Sequence, residues 1–226
     1  MEEITKQSWF HLSTGQFGYP QPEEGYLDIS YDMSAACKTC KIGKKQKSEF
    51  RFRSQPKAKH SQFLGLNWIF DEIFVREEAK EILETNNITG LTFSKPVINK
   101  NSIPIEGIYQ LHVDTFISNG LITENLNVEI CEMPRNEASL KFLTAIKSNL
   151  VVGPFCGNLK YNFPQGDNCI KIDGIFLENK PDFVRLNYWF GSGGSSNQPI
   201  LVSSKVKDLI KKEKLRGAYF DLIEVL

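Results

Sequence analysis

The sequence predicts an α+β fold with two related lobes, each containing mixed or antiparallel strands and one short amphipathic helix. Two observations carry this prediction. The segment 74–93 recurs at 201–220, at a constant offset and without a gap. Outside these segments, short runs of aromatic and β-branched residues alternate with polar residues, as they do in half-buried strands.

The repeated segment has the apolar spacing of a short helix followed by a strand. In both copies apolar side chains recur at i, i+4, i+7 and i+8, which places them on one stripe of a helix. These positions are Val75, Ala79, Ile82 and Leu83 in the first copy and Val202, Val206, Leu209 and Ile210 in the second. A polar turn and an apolar strand with an internal glycine, Gly90 or Gly217, follow each helix. Ser203 or Ser204 can cap the second helix. The sequence therefore predicts one helix–turn–strand unit used twice.

The other elements follow from local pattern. Strands are predicted, in chain order, at 26–31, 49–53, 66–75, 107–116, 127–131, 169–177 and 182–190. In the second of these, Phe50 and Phe52 share one face while Arg51 and Arg53 share the other, which is typical of a half-buried strand. Residues 136–147 have helical character, and the lysine-rich stretch 37–49 is predicted to be a solvated loop.

The repeat divides the chain into two predicted lobes. The N-terminal lobe, 1–125, contains a C-x-x-C motif and the first helix–strand unit. The C-terminal lobe, 126–226, contains a degenerate C-x-x-C-G motif and the second unit. One continuous domain with a shared sheet is the alternative.

Composition favours a cytoplasmic protein. The N-terminal residues have neither a basic nor an apolar region of a signal peptide, and no apolar run approaches the ~18 residues that a membrane span needs. The five cysteines are an odd number in a chain with no export signal, which favours reduced thiols over a disulfide framework. Cys131 and Cys169 lie in strand-like segments and are interpreted as small buried hydrophobic residues.

Charge is unevenly distributed although the formal net charge is zero. The segment 38–59 holds nine basic residues and one acidic residue, which leaves 18 basic and 26 acidic residues elsewhere. An acidic body disfavours nonspecific nucleic-acid binding and attracts basic protein partners. The alternative is a nucleic-acid-binding module, in which the basic segment contacts phosphates and Phe50 and Phe52 stack on bases.

The C-x-x-C motif formed by Cys37 and Cys40 has the spacing of a zinc-binding or redox pair. The redox interpretation needs a helix that starts at the motif, and a lysine-rich loop follows instead. Zinc would need a second ligand pair, and the nearest analogue, around Cys156, has lost its first cysteine to Gly153. A fourth ligand would have to be Cys131, Cys169 or a histidine. We therefore predict no bound metal, with structural zinc as the alternative.

No catalytic constellation emerges from the sequence. The glycine-rich stretch 191–199 lacks the Lys-Ser/Thr of a phosphate loop and the third glycine of a dinucleotide fingerprint. Ser195 is not in a G-x-S-x-G elbow, because Asn197 replaces the last glycine. This stretch is interpreted as a loop that can form a binding surface. His11, His60 and His112 have no partner at ligand spacing and are interpreted as ordinary surface or core histidines.

The order of the motifs resembles one known family. C-x-x-C is followed by F-R-F-R-x-x-P-K at 50–57, N-W-I-F-D-E-I-F-V at 67–75 and P-I-E-G-I-Y-Q-L at 104–111. C-G-x-x-K-Y at 156–161, W-F-G-S-G at 189–193 and a terminal L-V-S-S-K…L-R-G-A-Y-F complete the series. From about residue 26 to its end, the chain resembles the double-CXXCG-motif immunity proteins of bacterial polymorphic and contact-dependent toxin systems.

This resemblance implies a non-enzymatic cytoplasmic protein that neutralises a cognate protein toxin by binding to it. It implies no catalytic residues, and no toxin-contacting residues are transferred. The chain departs from the family pattern at two positions, because Lys41 replaces the glycine of the first motif and Gly153 replaces a cysteine of the second. The metal-ligand role of the family motifs therefore does not carry over whole.

Overall fold

The structure is a computed structural model that describes residues 8–15, 22–37, 40–56, 60–67, 69–124, 126–130, 158–165, 168–191 and 195–226. The fold is α+β, with mixed and antiparallel sheets, as predicted. In the described part of the chain, the helices are α1 (Tyr26–Ser30), α2 (Glu77–Thr85) and α3 (Ser204–Lys212), with a 3-10 turn at Gly174–Phe176. No helix in these residues is long and apolar enough to span a membrane.

The strands are numbered in chain order. They are β1 (Trp9–Thr14), β2 (Tyr31–Asp32), β3 (Lys45–Gln46), β4 (Arg51–Phe52), β5 (Phe63–Leu66), β6 (Ile69–Arg76), β7 (Thr92–Ser94), β8 (Val97–Ile98), β9 (Ile103–Pro104), β10 (Ile108–His112), β11 (Phe116–Ile117), β12 (Val128–Ile130), β13 (Leu159–Tyr161), β14 (Lys171–Ile172), β15 (Phe183–Leu186), β16 (Trp189–Phe190), β17 (Ile200–Ser203), β18 (Ala218–Leu222) and β19 (Glu224–Val225).

Two larger sheets form the body. The first has the order β11-β15-β17-β1-β18 and is antiparallel except for the β11–β15 pair. The second has the order β5-β6-β10-β7 and is antiparallel throughout. Shorter ladders, β12-β13-β16, β14-β19, β2-β3 and β4-β8-β9, surround them.

The two repeated segments occupy equivalent places in the two sheets. The first copy is β6-α2-β7 and the second is β17-α3-β18, and in each sheet one further strand lies between the two strands of the unit. That strand is β10 beside the first copy and the N-terminal β1 beside the second. The register agrees as well, because Val75 lies opposite Tyr109 and Val202 lies opposite Phe10. The helix–turn–strand order is confirmed, but Val75 and Val202, the first positions of the predicted helical stripes, lie in β6 and β17 and precede the helices. A common origin of the two copies stays a prediction.

The glycine of each copy is explained by a contact with the other sheet. Gly90 and Gly217 have positive φ angles of 84° and 94°. A Cβ atom at Gly90 would lie 2.2 Å from the carbonyl oxygen of Phe183 in β15, and one at Gly217 would lie 2.2 Å from that of Phe63 in β5. The residue before each glycine accepts a hydrogen bond from the same phenylalanine's N–H, at 3.0 and 2.9 Å. Each turn therefore joins its own sheet to the neighbouring one.

One polar side chain supports each of these turns. Asp182 accepts hydrogen bonds from the backbone N–H and hydroxyl of Thr89, both at 3.1 Å, and from the hydroxyl of Ser203 at 2.8 Å. At the equivalent turn, the Gln62 side-chain oxygen accepts from the N–H of Arg216 at 2.9 Å. Ser203 occupies the N-cap position of α3, as predicted, but its hydroxyl bonds Asp182 and makes no cap hydrogen bond.

Apolar side chains of both copies share one core. Ala79 and Leu83 of α2 and Val206 and Ile210 of α3 belong to the same buried cluster as the inward-facing residues of β1, β6 and β10. Residues 9–14 pair with strands of the C-terminal half, so the chain's N-terminus completes the first sheet. The proposed lobe boundary between 125 and 126 stays a prediction.

The predicted strand at 26–31 is wrong, because Tyr26–Ser30 forms a helix and only Tyr31 enters a strand. The helix is favoured by its packing: Tyr26 and Leu27 lie against the aromatic cluster around Phe50, and Ser30 is fully buried. Positions i, i+1 and i+4 share one face of a helix but not one face of a strand. The predicted helix at 136–147 lies outside the described residues.

Candidate binding groove and polar cluster

A cleft of about 780 Å³ opens where the first sheet meets the start of β6. β1, β17 and β18 contribute to its walls, together with residues 163–164, 168–170 and 197–199. Aromatic and amide side chains are prominent in the lining: Phe70, Phe163, Phe220, Asn168, Asn197 and Gln198. This volume and mixed lining are typical of a ligand-binding cleft.

A smaller pocket of about 210 Å³ adjoins this cleft. The two share Asp71 and Gln198 as lining residues, so we treat them together as the binding groove. Each contains one well-exposed large apolar side chain: Leu222 of β18, which lines the cleft, is 59% exposed, and Phe116 of β11, which lines the smaller pocket, is 48% exposed.

His11 forms part of the cleft wall. Its ring stacks on Phe163 with centroids 5.3 Å apart, and its Nδ1 lies 3.4 Å from Oδ2 of Asp221. Burial lowers the pKa of His11 and outweighs the opposite influence of Asp221, so the imidazole is neutral near pH 7. The Asp221 side chain is 74% exposed beside this ring.

The smaller pocket contains a polar cluster, which comprises Tyr31, Lys44, Gln46, Asp71, Glu72 and Gln110. Lys44 forms an ion pair with Asp71, and the Tyr31 hydroxyl donates to Glu72. Gln110 donates to the other oxygen of Glu72 at 2.6 Å. Burial raises the pKa of Glu72, and the nearby Asp71 charge adds to this effect. Both oxygens of Glu72 are therefore engaged by fixed neighbours.

Arg185 and His112 lie against this cluster. Nη1 of Arg185 donates to the backbone oxygen of Asp71 at 3.4 Å, while its Nε is buried without a hydrogen-bond partner. His112 Nε2 lies 2.7 Å from the Ser94 hydroxyl, and burial lowers the pKa of this imidazole. His11 and His112 thus line the groove, whereas His60 is exposed.

The C-x-x-C motif forms a compact turn. The N–H of Cys40 donates to Sγ of Cys37 at 3.5 Å, and the N–H of Lys41 donates to the Cys37 oxygen at 2.9 Å. Lys41 has a φ of 62°, a left-handed conformation that glycine adopts more readily than lysine. Cys37 and Trp189 both pack against the buried pair Cys40 and Ile42.

The prediction of no bound metal, with structural zinc as the alternative, stays a prediction. Among the residues that the structure describes, no three His, Cys, Asp or Glu side chains are grouped to hold a metal ion. Cys131 and Cys156 lie outside these residues. Cys169 is half-buried in the cleft wall and its thiol lies 3.8 Å from a carboxylate oxygen of Glu224.

Residues 40–56, the described part of the basic segment 38–59, pack against the rest of the protein and do not form the predicted solvated loop. Cys40 and Ile42 are buried, and Lys44 is largely buried in its ion pair with Asp71. Phe50 and Phe52 are 0% exposed, so the predicted half-buried strand is confirmed and neither ring is accessible to a nucleic-acid base. In the nucleic-acid hypothesis, contacts of the basic residues with phosphates stay a prediction. The predicted stacking of Phe50 and Phe52 on bases is wrong, because both rings are buried.

The glycine-rich stretch lies beside the groove. Phe190 and Asn197 exchange two backbone hydrogen bonds at 2.8 and 2.9 Å, which close the loop at its base. This closure places Asn197, Gln198 and Pro199 in the cleft lining. Residues 192–194 lie outside the described part of the chain.

Asp71 and Glu72 line the groove but were not predicted as site residues from the sequence. The available signal was two adjacent acidic residues inside the apolar strand I-F-D-E-I-F at 69–74. Charged residues are seldom buried unless they are paired, so such a strand predicts a buried polar network. The sequence did not indicate the partners, which come from β2, β3 and β10.

Comparisons with known proteins identify no family for this chain. A scan against protein-family models and a search of curated proteins find no match to the sequence.

Proposed function

We propose that this chain is an immunity protein, which neutralises a cognate protein toxin in the cytoplasm of the producing cell by binding directly to it. The order of the sequence motifs supports the toxin-system context. The groove supports a binding role, because Leu222 in the cleft and Phe116 in the smaller pocket expose large apolar side chains beside polar lining residues. That exposed apolar pair is the structural observation that carries the proposal.

The polar cluster favours binding over catalysis. Lys44 and Asp71 neutralise each other, and Tyr31 and Gln110 occupy both oxygens of Glu72. Each charged group of the cluster is thus held by a fixed protein partner, as in a structural polar network. The cluster thus acts as a rigid polar floor that joins β2, β3, β6 and β10 beneath the smaller pocket.

The experiment is co-expression with the toxin encoded next to this gene, followed by counts of surviving cells and co-purification of the two proteins. Survival and a stoichiometric complex are expected. Leu222→Asp and Phe116→Asp should each weaken the complex, because a carboxylate would replace an exposed apolar contact. Ile175→Asp is the matched control, since Ile175 is 65% exposed and does not line the groove. Cells that die despite soluble chain would contradict the proposal.

Acid–base catalysis in the smaller pocket is the second candidate. The raised pKa of Glu72 and the lowered pKa of His112 favour it, because shifted pKa values cluster at catalytic sites. Glu72→Gln separates the two functions. Undiminished protection by this variant would exclude catalysis by Glu72, whereas full toxin binding with lost protection would favour it.

A further inference from the structure

The cleft carries one uncompensated negative charge. Its described lining residues include the ionisable side chains His11, Asp71, Cys169 and Asp221, and no lysine or arginine. Asp71 is neutralised by Lys44 from the neighbouring pocket. Asp221 has the imidazole of His11 beside it, no cation among the described lining residues of the cleft, and a well-exposed side chain. A ligand with a positive charge would therefore restore neutrality at Asp221.

The walls beside Asp221 are aromatic and held in place. Phe163 lies between His11, at 5.3 Å, and Phe190, at 5.1 Å between ring centroids. Phe220, the neighbour of Asp221 in β18, also lines the cleft, but it packs against the core that contains Leu12, on the opposite face of the strand from Asp221. Cations are attracted both to aromatic faces and to carboxylates.

The remaining lining suits a peptide backbone. Asn168, Asn197 and Gln198 add amide groups, each of which can donate and accept hydrogen bonds. The cleft volume of about 780 Å³ is large enough for several residues of an extended chain. An isolated small cation needs neither this volume nor these amides.

We propose that the cleft receives an arginine or lysine side chain on an extended segment of the partner toxin, with Asp221 pairing the cation beside the stacked rings of His11 and Phe163. This assignment rests on the proposed function and names the surface that performs it. The excess of acidic residues outside the segment 38–59 would steer such a basic partner toward the chain.

The first experiment uses peptides and does not need the toxin. Acetylated and amidated pentapeptides Gly-Ser-X-Ser-Gly, with X as arginine, lysine, glutamine or glutamate, are titrated into the full chain, and backbone amide shifts are recorded by NMR. The arginine and lysine peptides should shift amides in β1 and β18 and bind about two- to fivefold more tightly than the glutamine peptide, the effect of one exposed ion pair. The glutamate peptide should bind most weakly.

The variants assign the effect to one carboxylate. Asp221→Asn should weaken the arginine peptide about two- to fivefold, because it removes the charge and keeps the shape. Asp208→Asn is the matched control, since Asp208 is an exposed carboxylate on α3 outside the cleft. Equal affinity of the arginine and glutamine peptides, shifts confined to other surfaces, no shifts at all, or equal effects of the two variants would each overturn the assignment.

A second experiment separates this inference from the proposed function. Asp221→Lys should abolish neutralisation of the toxin, because a like charge would occupy the cation's place. If this variant still neutralises the toxin, the assignment of the cleft fails and the proposed function stands. If the arginine peptide binds the cleft but the unmodified chain gives no protection, the proposed function fails and the chemistry of the cleft stands.

Discussion

Substitution of Gly90 by alanine tests the contact between the two sheets. The φ of 84° places an alanine in the left-handed region, at a cost of about 1 kcal/mol. The new Cβ would also lie 2.2 Å from the Phe183 oxygen and 2.8 Å from Pro181 Cβ. Neither atom belongs to a flexible side chain, so relief requires backbone movement at a further cost of about 1–3 kcal/mol. We expect a total loss of about 2–4 kcal/mol.

Urea unfolding followed by circular dichroism measures this loss, and Gly107→Ala provides the control. Gly107 has a φ of 70° but no atom within 4 Å of a Cβ, so only the conformational cost of about 1 kcal/mol applies. Gly217→Ala should match Gly90→Ala, because its Cβ would meet the Phe63 oxygen at the same 2.2 Å. Equal stabilities of the Gly90 and Gly107 variants would refute the claim that the turn is held against β15.

Three further predictions concern charge, metal and nucleic acid. Burial alone would raise the pKa of Asp182, but hydrogen bonds from Ser203 and Thr89 outweigh burial, so the pKa in the folded protein is lowered. Ionised Asp182 therefore stabilises the fold above its ordinary pKa of 3.8, and this stabilisation is lost as the pH falls through the lower pKa of the folded state. Asp182→Asn should flatten this acid limb of the urea-unfolding profile, and an unchanged profile would contradict the reasoning. Protein purified without added zinc should contain less than ~0.1 equivalent by elemental analysis, since the second motif lacks a cysteine that a four-ligand site would use; one full equivalent would disprove this. Filter binding of single-stranded RNA should be negligible at ~50 mM salt, and salt-dependent binding that disappears on combined Lys45→Gln and Lys47→Gln substitution would favour the nucleic-acid alternative.

Local pattern was sufficient for the repeated unit because each helix is short and its apolar stripe is unambiguous. Ala79 and Val206 fall at the predicted core positions and are both 0% exposed. The predicted strand at 26–31 is wrong because its apolar pattern is ambiguous. Six residues with mixed polarity satisfy either period, and packing of Tyr26 and Leu27 against a cluster formed later in the chain decides between them.

The groove could not be predicted in the same way, since its members are far apart in sequence. Asp221 and His11 meet only because β18 pairs with the N-terminal β1. Glu72 and Gln110 meet through the β6–β10 ladder, and Lys44 reaches Asp71 only because the lysine-rich segment folds back on the body. Pairing between distant strands depends on sheet order, which local periodicity does not encode.

The sequence by itself determined the α+β class, the two helix–turn–strand units and the buried face of the Phe50 strand, because these depend on the spacing of neighbouring side chains. It also placed a glycine in each unit without giving its reason. The tertiary structure supplied that reason, since Gly90 and Gly217 each face a backbone oxygen of the other sheet. It alone decided that β1 completes the first sheet and that Asp221 meets His11, because both depend on the pairing of β1 with strands more than 150 residues away in the chain.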